Sequence, residues 1–278
     1  MSSPDAVPES ILRRKGSPTT AGVPQPVRAL LDTGRLETVN LAEWLVADQG
    51  ALAGHVLPSL GLGQVVPAIV NVLARLENPT APRRLVAIAS ALGSQIAGTR
   101  ALDQSVDSLQ QHPSDLVRSW GCHLVGVRSD LDLKVKLDRI RPFATDRNMS
   151  VRECAWMAVR NDIAAQLDPA LQWLEPFVWE ADPNLRRFAT EATRPRGVWC
   201  RHIAALREHP EKGLPLLEPL RADPARYVQN SVANWLNDAS KSRPDWVRTV
   251  CDRWLTESPT VETRYLCRRA LRTLTAAR

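Results

Sequence analysis

His112-Pro113-Ser114-Asp115-Leu116-Val117-Arg118 reads as a turn, a helix start and a basic residue five positions after the proline. The same order recurs in five other segments: Asn78-Pro79 to Arg84, Asp146-Arg147 to Arg152, Asp182-Pro183 to Arg187, Asp223-Pro224 to Gln229 and Ser258-Pro259 to Arg264. From turn to turn the steps are 34, 34, 36, 41 and 35 residues. Asp-Pro and Asn-Pro are good helix starts anywhere, so independent helices are the competing reading. Six near-regular recurrences favour a repeat built on a helix pair. A single pair cannot bury its apolar face, so neighbouring pairs stack into one continuous core.

The surrounding sequence agrees. Apolar residues fall at spacings of three and four, as in Leu41, Trp44 and Leu45 or Leu214, Leu217 and Leu220, with prolines between the runs. The expected fold is all-α: a right-handed α-solenoid of HEAT-like helical repeats with a concave face. Residues 1–24, rich in Ser, Pro and Gly, are expected as a disordered tail, and residues 25–278 as one helical-repeat domain.

Several classes are excluded. The 278 residues hold no apolar run long enough for a membrane span and no secretory leader. Cys122, Cys154, Cys200, Cys251 and Cys267 form no Cys-x-x-Cys pair, which points to reduced thiols, and no zinc spacing or phosphate loop is present. The five histidines form no metal set or triad, so no metal and no cofactor is expected. The net charge of +6 divides unevenly: 14 basic against 13 acidic residues in 1–140, and 22 against 17 in 141–278. The basic residues are 31 Arg and 5 Lys. Guanidinium groups bind phosphate with two parallel donors, although GC-rich coding yields the same bias. Arg84, Arg118, Arg152, Arg186, Arg187 and Arg264 recur with the repeat. They would form a stripe for phosphate, or tie each repeat to the next through a carboxylate such as Asp182 or Asp223.

The C-terminal third carries the most specific pattern. Residues 186–199 read Arg-Arg-x-x-x-Glu-x-x-Arg-Pro-Arg-x-x-Trp. Residues 223–241 read Asp-Pro-x-x-Tyr-Val-x-x-Ser-Val-Ala-Asn-x-Leu-Asn-Asp-x-Ser-Lys, and 269–274 read Arg-Ala-Leu-Arg-Thr-Leu. In order and spacing these resemble the HEAT-repeat DNA alkylation repair glycosylases, the AlkC/AlkD superfamily. The resemblance is strongest to an AlkC-like member without the C-terminal immunoglobulin-like domain.

The resemblance implies a DNA N-glycosylase that excises cationic alkylated bases such as 3-methyladenine. It also implies double-stranded DNA carrying such bases as partner, a monomer, no membrane, and a cytoplasmic, nucleoid-associated location. A cationic base is already a good leaving group, so the chemistry needs a carboxylate that stabilises an oxocarbenium-like transition state and orients a water. By motif position Asp238 and Glu191 match the catalytic carboxylates, with Glu153 as a third across an assumed insertion. Trp199 matches an aromatic at the lesion, with Gly197-Val198 in place of the usual Leu-Pro.

Trp120 and Trp156 are further candidates for the DNA groove, as are the basic residues Arg152, Arg187, Arg194, Arg196, Lys241 and Arg269. Each has a structural alternative: a helix cap for Asp238, ion pairs to Arg187 or Arg194 for Glu191, a buried loop network for Arg194 and Arg196, and core packing for the tryptophans. Trp173, Trp179, Trp235, Trp246 and Trp254 are assigned to packing. A non-catalytic protein that binds damaged or branched DNA, and a protein-binding HEAT scaffold, are the other function classes.

Overall fold

In a computed structural model describing residues 7–197 and 199–276, the chain is all-α, and no strand occurs among the described residues. It divides into two compact units. One holds residues up to Leu131 together with Asp146–Ala155, and the other holds Asp132–Thr145 and everything from Trp156 on. Each is assembled from helical repeats.

In the first unit the helix Asp115–Val127 packs on both Ala81–Gln95 and Thr99–Gln110. Eleven of its thirteen residues are buried, among them Asp115 and Arg118. These polar groups are fully engaged. Asp115 accepts from the Thr38 amide at 2.9 Å and from the Thr38 and Ser150 hydroxyls, each at 2.6 Å. Burial pushes its carboxyl up from the usual range, and those donors work against that rise.

Residues 7–24 are not the loose tail expected from their composition. They contain the short helix Glu9–Leu12, and Arg14 reaches the fully buried Glu43 through two hydrogen bonds of 2.8 and 2.6 Å. Asn40 donates to the Ser17 carbonyl at 2.8 Å. A low-apolar segment is thus ordered by charge-assisted hydrogen bonds rather than by a core of its own. Residues 1–6 lie outside the described residues.

The recurring arginines have a definite task. Nη1 of Arg118 donates to the carbonyls of His112 and Pro113 at 2.8 and 2.9 Å, six and five residues back. Arg152 does the same to Asp146 and Arg147, Arg186 to Glu180 and Ala181, and Arg83 to Glu77 and Asn78. Arg264 reaches the Pro259 carbonyl, and Gln229 the Asp223 carbonyl. At the first of these turns the clamp is Arg83, where the sequence spacing points to Arg84, and of the expected pair Arg186-Arg187 it is Arg186 that clamps.

Two of the clamps extend to the following turn. Arg118 binds Asp146 through Nε and Nη2 at 2.7 and 3.0 Å, and also binds Glu37. Arg186 binds Asp223 in the same two-pronged way at 2.6 and 3.1 Å. At these positions the tie between repeats prevails over an open phosphate stripe.

In the second unit, Arg226–Ser240 packs against Pro183–Ala192 on one side and against Pro244–Glu257 and Val261–Ala270 on the other. Val228, Val232, Trp235, Leu236 and Ala239 are fully buried between them. Asp182 and Thr260 cap two of these helices by accepting from Asn184 and Thr263 amides. Trp254 and Trp235 pack as expected, but Trp179 is 69% exposed at the end of a 3-10 turn.

Two histidines of the first unit, the half-buried His112 and the buried His123, are held toward their neutral form. Burial lowers both His112 and His123 to about 4, and the charge of Arg118 adds to the effect at His112. Their folded values lie below the unfolded value of 6.5, so the unfolded chain binds protons that the native chain does not. Stability is therefore full above pH 6.5 and falls as the pH drops from there toward 4. Denaturant titrations across that window are expected to show the loss. His123→Leu should flatten the slope by about 1.4 kcal/mol per pH unit, and an unchanged slope would show that His123 is not the group responsible.

Candidate functional site

The turn after the helix Pro183–Ala192 departs from the repeat scheme. In place of a short connection, Arg194-Pro195-Arg196-Gly197 opens a loop that runs to the next helix at Ala204. Arg194 extends from its start to two carboxylates. Its Nε and Nη2 bind Asp238 Oδ2 at 2.9 and 2.8 Å, and its Nη1 binds Glu191 Oε2 at 3.3 Å. Burial works against the Arg194 charge, but the two carboxylates outweigh it and hold the guanidinium above the usual arginine range.

Glu191 and Asp238 are each 3% exposed. Glu191 lies in the last turn of Pro183–Ala192, and Asp238 near the end of Arg226–Ser240, so the packing of these two helices brings them to one arginine. Asp238 is inside its helix and caps nothing.

The two carboxylates differ in how completely they are engaged. Glu191 Oε1 accepts from the Ser231 hydroxyl at 2.8 Å, and that hydroxyl is 2.5 Å from Thr190 Oγ1. Arg187 lies 3.6 Å from the same oxygen, with its guanidinium 4.3 Å from the Tyr227 ring centroid. Both Glu191 oxygens are thus occupied by protein donors. Asp238 spends Oδ2 on Arg194, while among the described residues Oδ1 has a 3.4 Å contact to Lys241, whose side chain is 43% exposed. Asp238 therefore keeps one oxygen for a further partner.

The loop is held from below by a residue that the motif reading passed over. Arg160, 1% exposed, donates to the carbonyls of Ala192, Arg194 and Arg201 at 2.9, 2.5 and 3.3 Å, with a longer contact of 3.5 Å to Glu191. Gly197 passes so close that a Cβ there would lie 2.2 Å from Cys200 Sγ and 3.0 Å from the Arg160 guanidinium carbon. Burial pushes the Cys200 thiol up. Trp199 is 52% exposed and adopts φ 63°, the left-handed region that non-glycine residues rarely occupy.

Asp238, Glu191, Arg187, Arg194 and Lys241 are thus brought into one cluster, with Trp199 on the adjoining loop. Arg196 binds the Ser242 hydroxyl at 2.7 Å, beside Lys241. Arg269 is half-buried. Its charge, like those of Arg194 and Asp238, acts on Arg272, which burial lowers in the first place. Asn237 donates to the Ala270 carbonyl at 2.9 Å, and Asn234 accepts from Arg272 at 3.0 Å. The Arg-Ala-Leu-Arg-Thr-Leu segment is thereby fastened to the helix that carries Asp238.

Other expected site residues lie elsewhere. Trp120 is fully buried and donates its indole N–H to Gln49 at 2.8 Å, so it is a core residue of the first unit with no face for DNA. Trp156, 4% exposed, also packs internally, with Arg160 5.9 Å from its ring centroid. Arg152 and Glu153 are half-buried members of the first unit, and Arg152 serves as a turn clamp.

Sequence reasoning missed two guanidinium groups besides Arg160. Arg226 and Arg268 lie 3.6 and 5.8 Å from the Tyr265 ring centroid, exposed and without an ion pair among the described residues. The Tyr265 hydroxyl is fixed to Asn230 at 2.8 Å. The doubled Arg268-Arg269 is the signal the sequence holds for Arg268, and it does not say which of the two is the spare cation.

No family profile matches the chain. A curated relative, the uncharacterized protein YhaZ of Bacillus subtilis (strain 168), is 40% identical over 110 residues, or 39% of this chain and 30% of the relative. Among solved structures, the Pseudomonas fluorescens alkylpurine DNA glycosylase AlkC, bound to DNA containing an abasic site analog, is 25% identical with a TM-score of 0.67. That match covers 81% of this chain and 61% of the AlkC chain. AlkD2 from Streptococcus mutans is 21% identical with a TM-score of 0.59, covering 75% of this chain and 96% of its own. The chain thus spans less than a third of the curated relative and about three-fifths of the AlkC structure. In its all-α helical fold the chain is thus similar to the AlkC and AlkD2 structures.

Proposed function

We propose that the chain is a DNA repair glycosylase that excises cationic N-alkylated bases, 3-methyladenine among them, from double-stranded DNA. One observation carries the proposal. Asp238 is buried, ionically fixed on one oxygen by Arg194, and met on the other, among the described residues, by a long contact from the half-exposed Lys241 that a further partner can displace. In the reaction the bond between the sugar C1′ and the base nitrogen breaks. Its electron pair leaves with the base, which departs neutral, and positive charge develops on the sugar ring. Water then adds at C1′ and loses a proton.

A carboxylate oriented before the charge appears stabilises that transition state without reorganising. Asp238 Oδ1 takes this role and orients the water. Glu191, with both oxygens already donated to, holds Arg194 and so sets the direction of Asp238. Trp199 offers an exposed aromatic face to a cationic base. The likeness to AlkC, an alkylpurine DNA glycosylase, supports the reading, and a monomer acting in the cytoplasm on nucleoid DNA is the matching expectation.

Incubation of the protein with methylated duplex DNA and measurement of released bases is the direct test. Wild type is expected to release cationic methylated purines. Asp238→Asn should lower the single-turnover rate by about 10²-fold or more with DNA affinity retained, and Glu191→Gln should cause a smaller loss. Release by Asp238→Asn at the wild-type rate would remove Asp238 from the mechanism. Binding of damaged DNA by wild type without release would instead favour the non-catalytic reading.

Affinity measured against salt tests the DNA partner separately. Binding should weaken steeply as salt rises. Arg226→Gln and Arg268→Gln should each flatten the log–log slope by about 0.9. Binding that is absent or indifferent to salt would leave the scaffold reading in its place.

A further inference from the structure

We propose that Arg160 is a positioning residue that pinches the two ends of the 194–201 loop together and thereby sets where Arg194 and Trp199 stand relative to Asp238. The argument begins with what Arg160 binds. Its guanidinium is buried and, among the described residues, makes no hydrogen bond to a carboxylate. It donates instead to carbonyls at the loop entrance, Ala192 and Arg194, and to one at the loop exit, Arg201. The entrance carbonyls belong to the end of the helix Pro183–Ala192, where C=O groups lack helical partners. A single rigid planar fork therefore terminates the helix and closes the loop in one step.

A cation buried without a bonded carboxylate is costly unless charge lies nearby. Burial lowers Arg160 from the usual arginine range, and the neighbouring Arg194 charge lowers it further. Cys200, Glu191 and Asp238 act in the opposite sense. Arg160 is thus electrostatically part of the carboxylate cluster although it touches neither carboxylate side chain.

Two further observations show how tightly the loop is constrained. Gly197 has no room for a Cβ between Cys200 and Arg160. Trp199 holds a left-handed conformation that a relaxed loop would abandon. Lysine at position 160 would keep the charge but lose the planar fork and cannot span entrance and exit carbonyls together.

The kinetic consequence rests on the glycosylase reading; the structural consequence does not. The experiment therefore has two arms on the full chain, with Arg160→Lys and, as an independent way of pushing the loop off the clamp, Gly197→Ala. In the first arm, native-state trypsin digestion is followed by mass spectrometry at the Arg196–Gly197 bond. Both variants should be nicked there at least ~10-fold faster than wild type, while the melting transition stays cooperative. In the second arm, single-turnover base release should fall by about 10- to 100-fold in both variants, with DNA dissociation constants within about threefold of wild type.

Nicking at the wild-type rate in both variants would overturn the proposal. So would release and binding that decline together, because that pattern marks a general loss of structure. If wild type releases no base, the glycosylase reading fails by itself, and the proteolysis arm still decides the role of Arg160.

Discussion

The turn between paired helices is closed by a side chain that reaches back along its own helix to the carbonyls just before it. Arg118, Arg152 and Arg186 each bind two such carbonyls with one nitrogen, and Gln229 binds one. Carbonyls just before a helix start lie outside the helical ladder, and the clamp supplies them with a donor from within the protein. A hydrogen bond from a charged donor contributes roughly 1.5–3 kcal/mol, toward the lower end where the carbonyl is exposed. The clamp also fixes the direction in which the rest of the guanidinium points. In Arg118 and Arg186 it points to the aspartate that begins the next turn. The same residue thus finishes one turn and registers the following one, and the apolar stacking of the helices proceeds from that register.

The carboxylate cluster is the place where this arrangement is modified. After Pro183–Ala192 the chain does not turn at once, and the task of satisfying the helix end passes to Arg160 on another helix. That substitution frees Arg194, which would otherwise have been a surface residue after a helix end, to lie between Glu191 and Asp238. Two buried carboxylates face the guanidiniums of Arg160, Arg194 and Arg187, all largely withdrawn from solvent, and this pairing makes the cluster tolerable in a poorly solvated place. With the half-exposed Lys241 at its rim the balance is positive, which suits an approaching phosphate chain.

The repeat and the all-α fold were legible because they depend on local signals: turn residues, helix starts and apolar spacing. The paired carboxylates were legible through motif order. What escaped were positions decided by partners distant in sequence. Arg83 and Arg186 clamp their turns while their neighbours Arg84 and Arg187 do not, a choice set by the angle at which each side chain leaves its helix. Trp120 looked available for DNA because it follows a repeat arginine, yet its side of the helix is closed by Gln49, 71 residues away. Arg160 carried no motif, because its function is to bind backbone carbonyls, and backbone has no sequence signature. The segment 7–24 looked disordered by composition, but composition does not register a single arginine with a buried glutamate waiting for it.

The excess of arginine over lysine acquires a structural meaning alongside its genomic one. Arg118 satisfies two carbonyls and two carboxylates at once; Arg160 reaches both ends of a loop; Arg194 joins two acids from different helices. Each task needs several donors held in one plane and a charge that survives burial. Lysine has three donors around one point and releases its proton more readily when desolvated. Where lysine does occur near the cluster, at Lys241, it is half-exposed and makes one long contact. In such a chain a high arginine count cannot be read directly as phosphate-binding capacity, since many of the guanidiniums are consumed by the architecture. The informative cations are those left over, and Arg226 and Arg268, stacked on Tyr265 with no acid to neutralise them, are the clearest of these among the described residues.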